Sequence, residues 1–346
     1  MTSIEESWTP LVVAQCQKLG LQFQKGWTVV AAVILFGASA KHDRVITLTT
    51  GIKCLPLSSY SGERSHLRDH LIRDSHAEVL SRRALIAFIL SQIESNDDSV
   101  VFIKNGRISI REGFHFGLWI SHLPCGELSM GSYYRDGSQE NQAKRTRLDT
   151  PSIVRGREHS HLIRGVMRTK PGRADAPPCG SLSCSDKLLL WNEIGWQGSI
   201  LITNDLLEMR NIMICCDNVS EESGLPIVIS KSPFSLMHHT SKDLLDNMAI
   251  IWHEGMEKPE LLVDGRQFGS AKPKAPHWKL NPSAESKFSQ HSLTSRARSL
   301  SLDADNNYEL KKNEIFEDKS SRFYRWRSIK TDSSSILRDN CKDPMI

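Results

Sequence analysis

The chain has 346 residues, 39% of them hydrophobic and 24% charged, and its formal net charge at pH 7 is +4. This length allows one large domain or two smaller ones with a substantial buried core. Eight cysteines without a signal peptide indicate a reducing intracellular environment, nucleus or cytoplasm, rather than a secreted disulfide scaffold. The mildly positive charge fits an RNA partner, but many unrelated proteins share it.

Hydrophobic patterning predicts an α/β layer in the first part of the chain. A short helix over residues 8–20 precedes two buried strands, residues 29–36 and 44–49. The first of these strands is the longest apolar run near the start and is too short to span a membrane, so no membrane partner is expected. A helix should begin near residue 75, because an apolar-rich run follows the segment 75–78, which also fits a capping box.

The rest of the chain alternates further elements with polar segments. Residues 114–121 are predicted to form a strand, and Cys125 follows just after its end. Residues 185–191 should form a helix, which places Cys184 at a helix N-terminus, where a thiolate is favoured. Two more strands are expected at residues 198–203 and 226–230. Polar composition predicts loops or disorder at residues 136–162, 217–224, 272–287 and 295–307, and a solvated tail after residue 329.

One His, two Cys and one Glu form the most informative pattern. The tripeptide 76–78 is H-x-E, and with the Pro-Cys pair at 124–125 it matches the signature of zinc nucleobase deaminases. A catalytic zinc site uses three protein ligands and leaves one position for water, while a carboxylate that is not a ligand moves protons. The usual P-C-x-x-C is broken, because residue 128 is Leu. Spacing therefore leaves several candidates for the third ligand: Cys16, Cys54, Cys179, Cys184, Cys215, Cys216 and Cys341.

Further motifs accompany this pattern along the chain, namely Gly26-Trp27-Thr28-Val29-Val30-Ala31, Thr50-Gly51-Ile52-Lys53-Cys54-Leu55, Asp74-Ser75-His76-Ala77-Glu78 with Ser81-Arg82-Arg83, Trp119-Ile120-Ser121 with Pro124-Cys125-Gly126, Arg168-Thr169-Lys170-Pro171-Gly172-Arg173, Ser183-Cys184-Ser185-Asp186-Lys187 with Trp191-Asn192, and Leu262-Val263-Asp264-Gly265-Arg266. With these motifs the sequence resembles the adenosine deaminase domain shared by tRNA-specific and double-stranded-RNA-specific adenosine deaminases. The tRNA-specific branch is the closer fit, because residues 168–173 resemble it and the segment from there to Cys184 is short. The resemblance implies one domain over residues 10–328, followed by a disordered tail over residues 329–346.

This resemblance implies the fold and the chemistry of the site. The fold would be an α/β, cytidine-deaminase-like core sheet with zinc-site helices, extended by a C-terminal helical and β region. Zinc would be held by His76, Cys125 and Cys184, with Glu78 as the catalytic proton shuttle. The implied reaction is hydrolytic deamination of adenosine to inosine in tRNA, at the adenosine just 3′ of the anticodon in alanine tRNA.

RNA contacts are expected from basic residues near the motifs, namely Lys53, Arg168 and Lys170, although a charge run is more often a solvated face. No obligate protein partner is evident. Two other interpretations stay open. The chain could be a catalytically impaired or truncated RNA-binding relative, which the intact set of His76, Glu78 and the two cysteines disfavours. It could also be a zinc deaminase of free nucleosides or cytidine, which the broken P-C-x-x-C and the long chain disfavour.

The resemblance also implies a buried inositol hexakisphosphate, which the family holds in a pocket of Lys, Arg, Tyr and Trp side chains. Arginine suits such a pocket, because its guanidinium presents several donors to phosphate. An ordinary amphipathic helix with solvated lysines is the alternative for the C-terminal members of this set. Leu190, Arg73 and Gln290 depart from the family pattern. The residues at or beside the expected pocket are Arg82, Arg83, Ser181, Lys187, Ser199, Lys312 and Trp326.

Overall fold

The computed structural model of the chain describes residues 4–21, 28–37, 43–130, 153–155, 167–170, 177, 179–205, 207–215, 225–230, 248–302 and 306–318. The α-helices are α1 Ile4–Lys18, α2 Ala77–Glu94, α3 Glu127–Met130, α4 Cys184–Ile194, α5 Gln290–Ser299 and α6 Asn306–Glu317. Short 3₁₀ helices cover Leu57–Ser59, Gly62–Leu67 and Pro282–Ala284. The strands are β1 Val30–Gly37, β2 Arg44–Thr50, β3 Ile52–Cys54, β4 Asp74–His76, β5 Val101–Lys104, β6 Arg107–Ile110, β7 Phe114–Ile120, β8 Ile153–Arg155, β9 Met167–Thr169, β10 Met209–Cys215, β11 Ile227–Ser230, β12 Met248–His253, β13 Glu260–Val263 and β14 Arg266–Gln267.

A mixed sheet of eight strands forms the centre, in the order β11-β10-β7-β1-β2-β12-β13-β14. Strand β10 runs parallel to both β11 and β7, whereas the other neighbours in this sheet are antiparallel. Three two-stranded ribbons, β3–β4, β5–β6 and β8–β9, lie outside it. The predicted α/β class is therefore confirmed.

Strand β1 shows why the sheet is covered on both faces. Its side chains alternate between two apolar clusters, so that Val33 packs on the side of α2 and Ile34 on the side of Trp8 from α1. A strand buried on both faces reads as a continuous apolar run, and this one does. The predictions of β1, of β2 and of the first helix are confirmed, with α1 beginning earlier than expected.

Helix α2 lies in the interior and positions the site. Every residue from 77 to 90 is buried, including two arginines, and the helix packs against β1, β2, β12 and α5. A helix surrounded by protein needs no amphipathic stripe, which explains its nearly uniform apolar run. The predicted capping box is wrong: Ser75 belongs to β4, and the N-cap is His76, without a capping hydrogen bond from its side chain.

Other predicted elements have mixed outcomes. The strands expected at 114–121 and 226–230 and the helix expected at 185–191 are confirmed. The strand expected at 198–203 is wrong, because that stretch forms turns with one isolated bridge between Ile108 and Thr203. The loop expected at 295–307 is also wrong, since α5 continues through its first residues and α6 begins before its end.

The remaining loop predictions fall partly outside the described residues. The stretch 272–287 is irregular except for the 3₁₀ helix Pro282–Ala284, as predicted. Residues 153–155 of the loop expected at 136–162 form β8, while its other residues, the segment 217–224 and everything after 318 lie outside the described part. Among the helices that the structure describes, none combines the length and the apolar character needed to cross a bilayer.

Candidate metal centre and active site

Three separate parts of the chain bring His76, Cys125 and Cys184 together. His76 ends β4 and caps α2, Cys125 lies in the loop after β7, and Cys184 is the first residue of α4. The last two segments are tied by backbone contacts: the amide of Ser185 donates to the carbonyl of Cys125 at 2.9 Å, and the amide of Cys184 donates to Cys125 Sγ at 3.3 Å. The local backbone therefore fixes the two sulfurs beside one another.

The distances in this cluster fit a tetrahedral metal ion. His76 Nδ1 lies 3.8 Å from Cys125 Sγ and 3.5 Å from Cys184 Sγ. With zinc–nitrogen and zinc–sulfur bonds of ordinary length, a tetrahedral site has a nitrogen–sulfur edge of about 3.6 Å. All three ligand atoms lie within 4.8 Å of one another. The geometry thus brings Cys184, out of the candidates that spacing left open, next to His76 and Cys125.

The other candidate cysteines do not join this cluster in the described part of the chain. Cys16 and Cys215 belong to the apolar core on the α1 face of the sheet. Cys54 and Cys179 neighbour each other, and Cys179 Sγ accepts from the amide of Ser181 at 3.3 Å. Cys216 and Cys341 lie outside the described residues.

Glu78 faces the cluster from the first turn of α2. Its side chain is buried, and Oε2 lies 3.5 Å from Cys184 Sγ. Burial raises the pKa of the Glu78 carboxyl. A carboxyl group held beside three metal ligands, with a raised pKa, is suited to take up and release protons during a reaction.

The two thiols have opposite protonation tendencies. A hydrogen bond from Cys184, together with the charges of Lys170 and His76, holds the pKa of the Cys125 thiol well below its ordinary value. Burial and the neighbouring Cys125 raise the pKa of the Cys184 thiol. One proton shared between two sulfurs is what a cationic metal ion would displace, because thiolates are the ligating form.

A buried charge network supports the cluster from behind. Asp74 Oδ2 accepts from Lys170 Nζ at 2.7 Å and from Lys187 Nζ at 2.8 Å, and it also accepts from the Ser181 hydroxyl. Burial opposes ionisation of Asp74, but the charges of Lys170 and Lys187 hold the pKa of its carboxyl well below the usual range. Lys170 Nζ also lies 3.1 Å from Cys184 Sγ, so the network reaches the ligands directly.

These contacts correct two of the predicted RNA contacts. The side chains of Arg168 and Lys170 are both only 3% exposed. Arg168 pairs with Glu127 at 3.7 Å, and Lys170 is held by Asp74 and Cys184. Neither side chain is accessible to a phosphate, so the prediction that they line the RNA path is wrong. Lys53 is exposed on β3 and keeps its predicted accessibility.

The structure describes six of the seven residues predicted to surround inositol hexakisphosphate. Lys187 and Ser181 belong to the Asp74 network. Arg82 donates to the carbonyl of Trp196 at 2.9 Å and to the hydroxyl of Tyr308 at 3.3 Å, while its guanidinium stacks on Trp191. Of the remaining residues of this set, Arg83 is buried and donates to the carbonyl of Phe288, and Lys312 on α6 is also buried. Ser199 is half-buried in a turn, and Trp326 lies outside the described residues.

Sequence reasoning missed the residues that hold α4 in place. Ser183 is the N-cap of α4, and its hydroxyl accepts from the amide of Asp186 and donates to the Asp186 carboxylate at 2.6 Å. The same carboxylate accepts from the amide of Arg168 at 2.8 Å. Burial raises the pKa of Asp186 to about 7. Ser at the cap with an acidic residue three positions later is a pattern that could have been recognised in the sequence.

Comparison with known proteins agrees with the fold and the site. The model of the adenosine-deaminase (editase) domain family matches residues 47–220, and the chain belongs to this family. The predicted resemblance and the cytidine-deaminase-like α/β fold are thereby confirmed.

Individual relatives come from both branches of the family. Over 239 residues the chain is 29% identical to tRNA-specific adenosine deaminase 1 of Drosophila melanogaster, covering 64% of this chain and 57% of the fly protein. It is 31% identical to the Schizosaccharomyces pombe protein of the same name, covering 47% and 42%. It is 30% identical to double-stranded RNA-specific editase B2 of Mus musculus, covering 50% and 25%. The chain thus matches at most 57% of the length of these relatives, and the first two support the tRNA-specific branch.

Proposed function

We propose that this protein deaminates adenosine to inosine in tRNA by hydrolysis, with Zn²⁺ held by His76, Cys125 and Cys184. The observation that carries the proposal is the convergence of these three ligands on the buried carboxyl of Glu78. A zinc held only for structure would take four protein ligands, whereas three ligands beside a free carboxyl are typical of a catalytic site. The names of the tRNA-specific relatives support tRNA as the substrate.

Zinc at this position would supply positive charge and lower the pKa of a water molecule. The chain's own contribution is Glu78, which accepts the proton that the attacking water loses. The same carboxyl delivers that proton to the adenine ring nitrogen. It then takes the second proton from the hydroxyl now bonded to the ring carbon and passes it to the departing ammonia. Its raised pKa suits a group that acts as base and then as acid. The target adenine has to leave any stack to reach this buried carboxyl.

The RNA itself would lie on the face that carries Lys53. This lysine lines a cavity together with Asp264 and Gly265, where a basic loop begins. Residues 265–284 contain no Asp or Glu but three Lys and one Arg, and Lys272 in this stretch is 70% exposed. Phe268 is 57% exposed, so an aromatic side chain lies among the cations. Cations and exposed aromatic rings together suit a single-stranded or splayed RNA.

The test is inosine formation in alanine tRNA, measured together with the metal content of the same protein. We expect inosine at the adenosine 3′ of the anticodon and about one catalytic zinc per chain. Zinc and tRNA binding without inosine would favour the impaired relative instead. Deamination of free adenosine at a comparable rate would overturn the assignment of tRNA as substrate.

Inositol hexakisphosphate is the second group that we propose, in the interior next to Arg82. The indole Nε1 atoms of Trp191 and Trp196 are buried and have no hydrogen-bond partner among the described residues. Two unpaired donors beside a buried guanidinium suit a polyanion, since buried donors are nearly always satisfied. Leu190, however, packs in an apolar cluster with Tyr308. The resemblance implies a basic residue at this position, so its replacement by Leu reduces the number of cations available to the anion.

Mass spectrometry of the acid-denatured protein tests this part directly. We expect one inositol polyphosphate to be released per folded chain. Absence of any phosphate from an active, zinc-loaded preparation would contradict the proposal for the interior anion and leave the proposal for the metal site standing.

A further inference from the structure

A second group of metal-ligating side chains lies on the surface, apart from the cluster around His76. It consists of His70, Glu285 and His291. His70 follows the 3₁₀ helix Gly62–Leu67, Glu285 directly follows the 3₁₀ helix Pro282–Ala284, and His291 lies in the first turn of α5. We propose that this group binds a divalent transition-metal ion of the Zn²⁺, Ni²⁺, Co²⁺ and Cu²⁺ class and clamps two distant parts of the chain together.

The distances carry the proposal. His70 Nδ1 lies 2.7 Å from Glu285 Oε2, and His291 Nδ1 lies 3.0 Å from Glu285 Oε1. In an octahedral site with metal–ligand bonds of ordinary length, neighbouring ligand atoms are about 3.0 Å apart. The two imidazole rings lie 4.3 Å apart with a tilt of 41°, so both Nδ1 atoms point at the same carboxylate. One ion between the three groups would meet two nitrogens and one carboxylate.

The chemistry of the ligands selects the class of ion. Two imidazoles with one carboxylate bind borderline divalent metals more tightly than Mg²⁺ or Ca²⁺, which prefer oxygen ligands. The side chain of His291 is 53% exposed, whereas that of Glu285 is only 13% exposed. The coordination positions of the ion that face outward would therefore be open to water, and the carboxylate would lie on the buried side of the ion.

Hydrogen bonds around the group hold it in place. Both Ser289 and Ser292 donate their hydroxyls to Glu285 Oε1. The backbone carbonyl of Glu285 accepts from Gln267 at 2.9 Å, and the amide of His291 donates to the carbonyl of Asp69 at 2.9 Å. Such outer partners orient ligands and raise metal affinity, and their presence distinguishes this group from a chance surface pair.

A bound ion would act on the stability of the fold. His70 lies four residues before Asp74 at the start of β4, and α5 packs against α2. The clamp would join residues that are 215 positions apart in the sequence. An ion that binds only the folded chain stabilises it by mass action. This inference is independent of deaminase activity and of the ion at His76.

The competing account is that the carboxylate accepts one hydrogen bond from each imidazole and no ion binds. Titration of tag-free protein, already loaded at the His76 cluster, with Cu²⁺ or Ni²⁺ separates the two accounts. We expect a second ion per chain, nitrogen couplings from two imidazoles in the electron paramagnetic resonance spectrum of the Cu²⁺ form, and a higher Tm.

Single variants locate the site. His70→Gln and His291→Gln should each weaken binding of the second ion at least tenfold and abolish the metal-dependent rise in Tm, with the first metal retained. His277→Gln is the matched control, because His277 is exposed and lies outside this group. Equal binding of the second ion by all four proteins, or no second ion in the parent protein, would overturn the proposal. A cooperative thermal transition without added metal shows that each variant is folded.

Discussion

Lys170 and Asp74 form an ion pair inside the protein, with Nζ and Oδ2 2.7 Å apart and both side chains almost fully buried. The same ammonium contacts Cys184 Sγ. A buried cation beside a thiol favours the thiolate that a metal requires. The pair therefore connects the charge network of the interior to the proposed metal ligand.

Replacing Lys170 by Met should weaken metal binding by about 10- to 100-fold, because a partner of the ligand is lost. It should also lower the free energy of unfolding by about 3 kcal/mol, since the buried Asp74 keeps only one of its two cations. Competition with a chromophoric chelator measures the affinity, and urea unfolding measures stability. Lys272→Met is the control, because that lysine is 70% exposed. Unaltered zinc affinity in the Lys170 variant would show that the contact to sulfur has no effect on the metal.

Glu78→Gln keeps the size of the side chain but removes its ability to exchange protons. We expect a loss of deamination of about 10²- to 10⁴-fold or more, the range for general acid–base groups. Zinc content and tRNA affinity should stay at the parent level, because Glu78 is not one of the three clustered ligands. Single-turnover inosine assays provide the measurement. Activity within tenfold of the parent would exclude Glu78 as the proton shuttle.

Gly126 is required by the backbone next to Cys125. Its φ is 109°, and an added Cβ would overlap the side chain of Ser183, the N-cap of α4. Gly126→Ala should cost about 2–5 kcal/mol of stability and reduce metal content, because the clash adds to the backbone strain.

Gly106 offers a matched control in the hairpin between β5 and β6. Its φ is 73°, but a Cβ there would meet no atom within 4 Å. Gly106→Ala should cost only about 1 kcal/mol, the strain of a positive φ. Thermal unfolding and zinc analysis of both variants would reveal the difference. Similar losses in both would mean that contact with Ser183 is unimportant.

His253 makes folding stability depend on pH. Burial lowers the pKa of this imidazole to about 4, and its Nδ1 donates to the carbonyl of Glu254. A histidine that is neutral when folded binds more protons when unfolded, so stability is complete above about pH 6.5 and falls as the pH drops towards 4. The loss attributable to this residue should reach about 3 kcal/mol.

Urea unfolding between pH 4 and pH 7 tests this dependence. His253→Gln should lower the pH-dependent change in unfolding free energy by about that amount, since the amide does not titrate there. The exposed His277 provides the comparison, and His277→Gln should leave the slope close to that of the parent. A parental slope in the His253 variant would assign the dependence to other groups.

Local sequence signals predicted part of this structure. The apolar runs of β1 and α2 reflect burial by protein on both sides, and such runs can be recognised from residue type alone. The short ribbon β3–β4 carries no such run, because its three-residue strands depend on pairing between Ile52 and His76. Because Ser75 and His76 pair with β3, helix α2 begins at Ala77 and not at Ser75, the residue that fits a helix cap.

In the candidate site, too, some features could be predicted from the sequence and others could not. The H-x-E tripeptide and Pro-Cys pair identify chemistry through residue type and short spacing. The burial of Lys170 could not be predicted in this way, because its partner Asp74 is 96 residues away in the sequence. A segment rich in Lys and Arg is, moreover, usually a solvated surface. Long-range partners decide whether a cation is exposed, and a single sequence does not contain that information.

The ligand cluster has a consequence for the chain as a polymer. His76 and Cys125 are 49 residues apart, and Cys125 and Cys184 are 59 residues apart. An ion bound to all three would be a reversible cross-link that closes two long loops. Closing loops of this length removes conformational freedom from the unfolded ensemble, and the free energy of metal binding becomes free energy of folding. Chelation should thus loosen the whole α/β core, since the three ligands come from the N-terminal end of the interior helix α2, from the loop after β7 and from the start of α4.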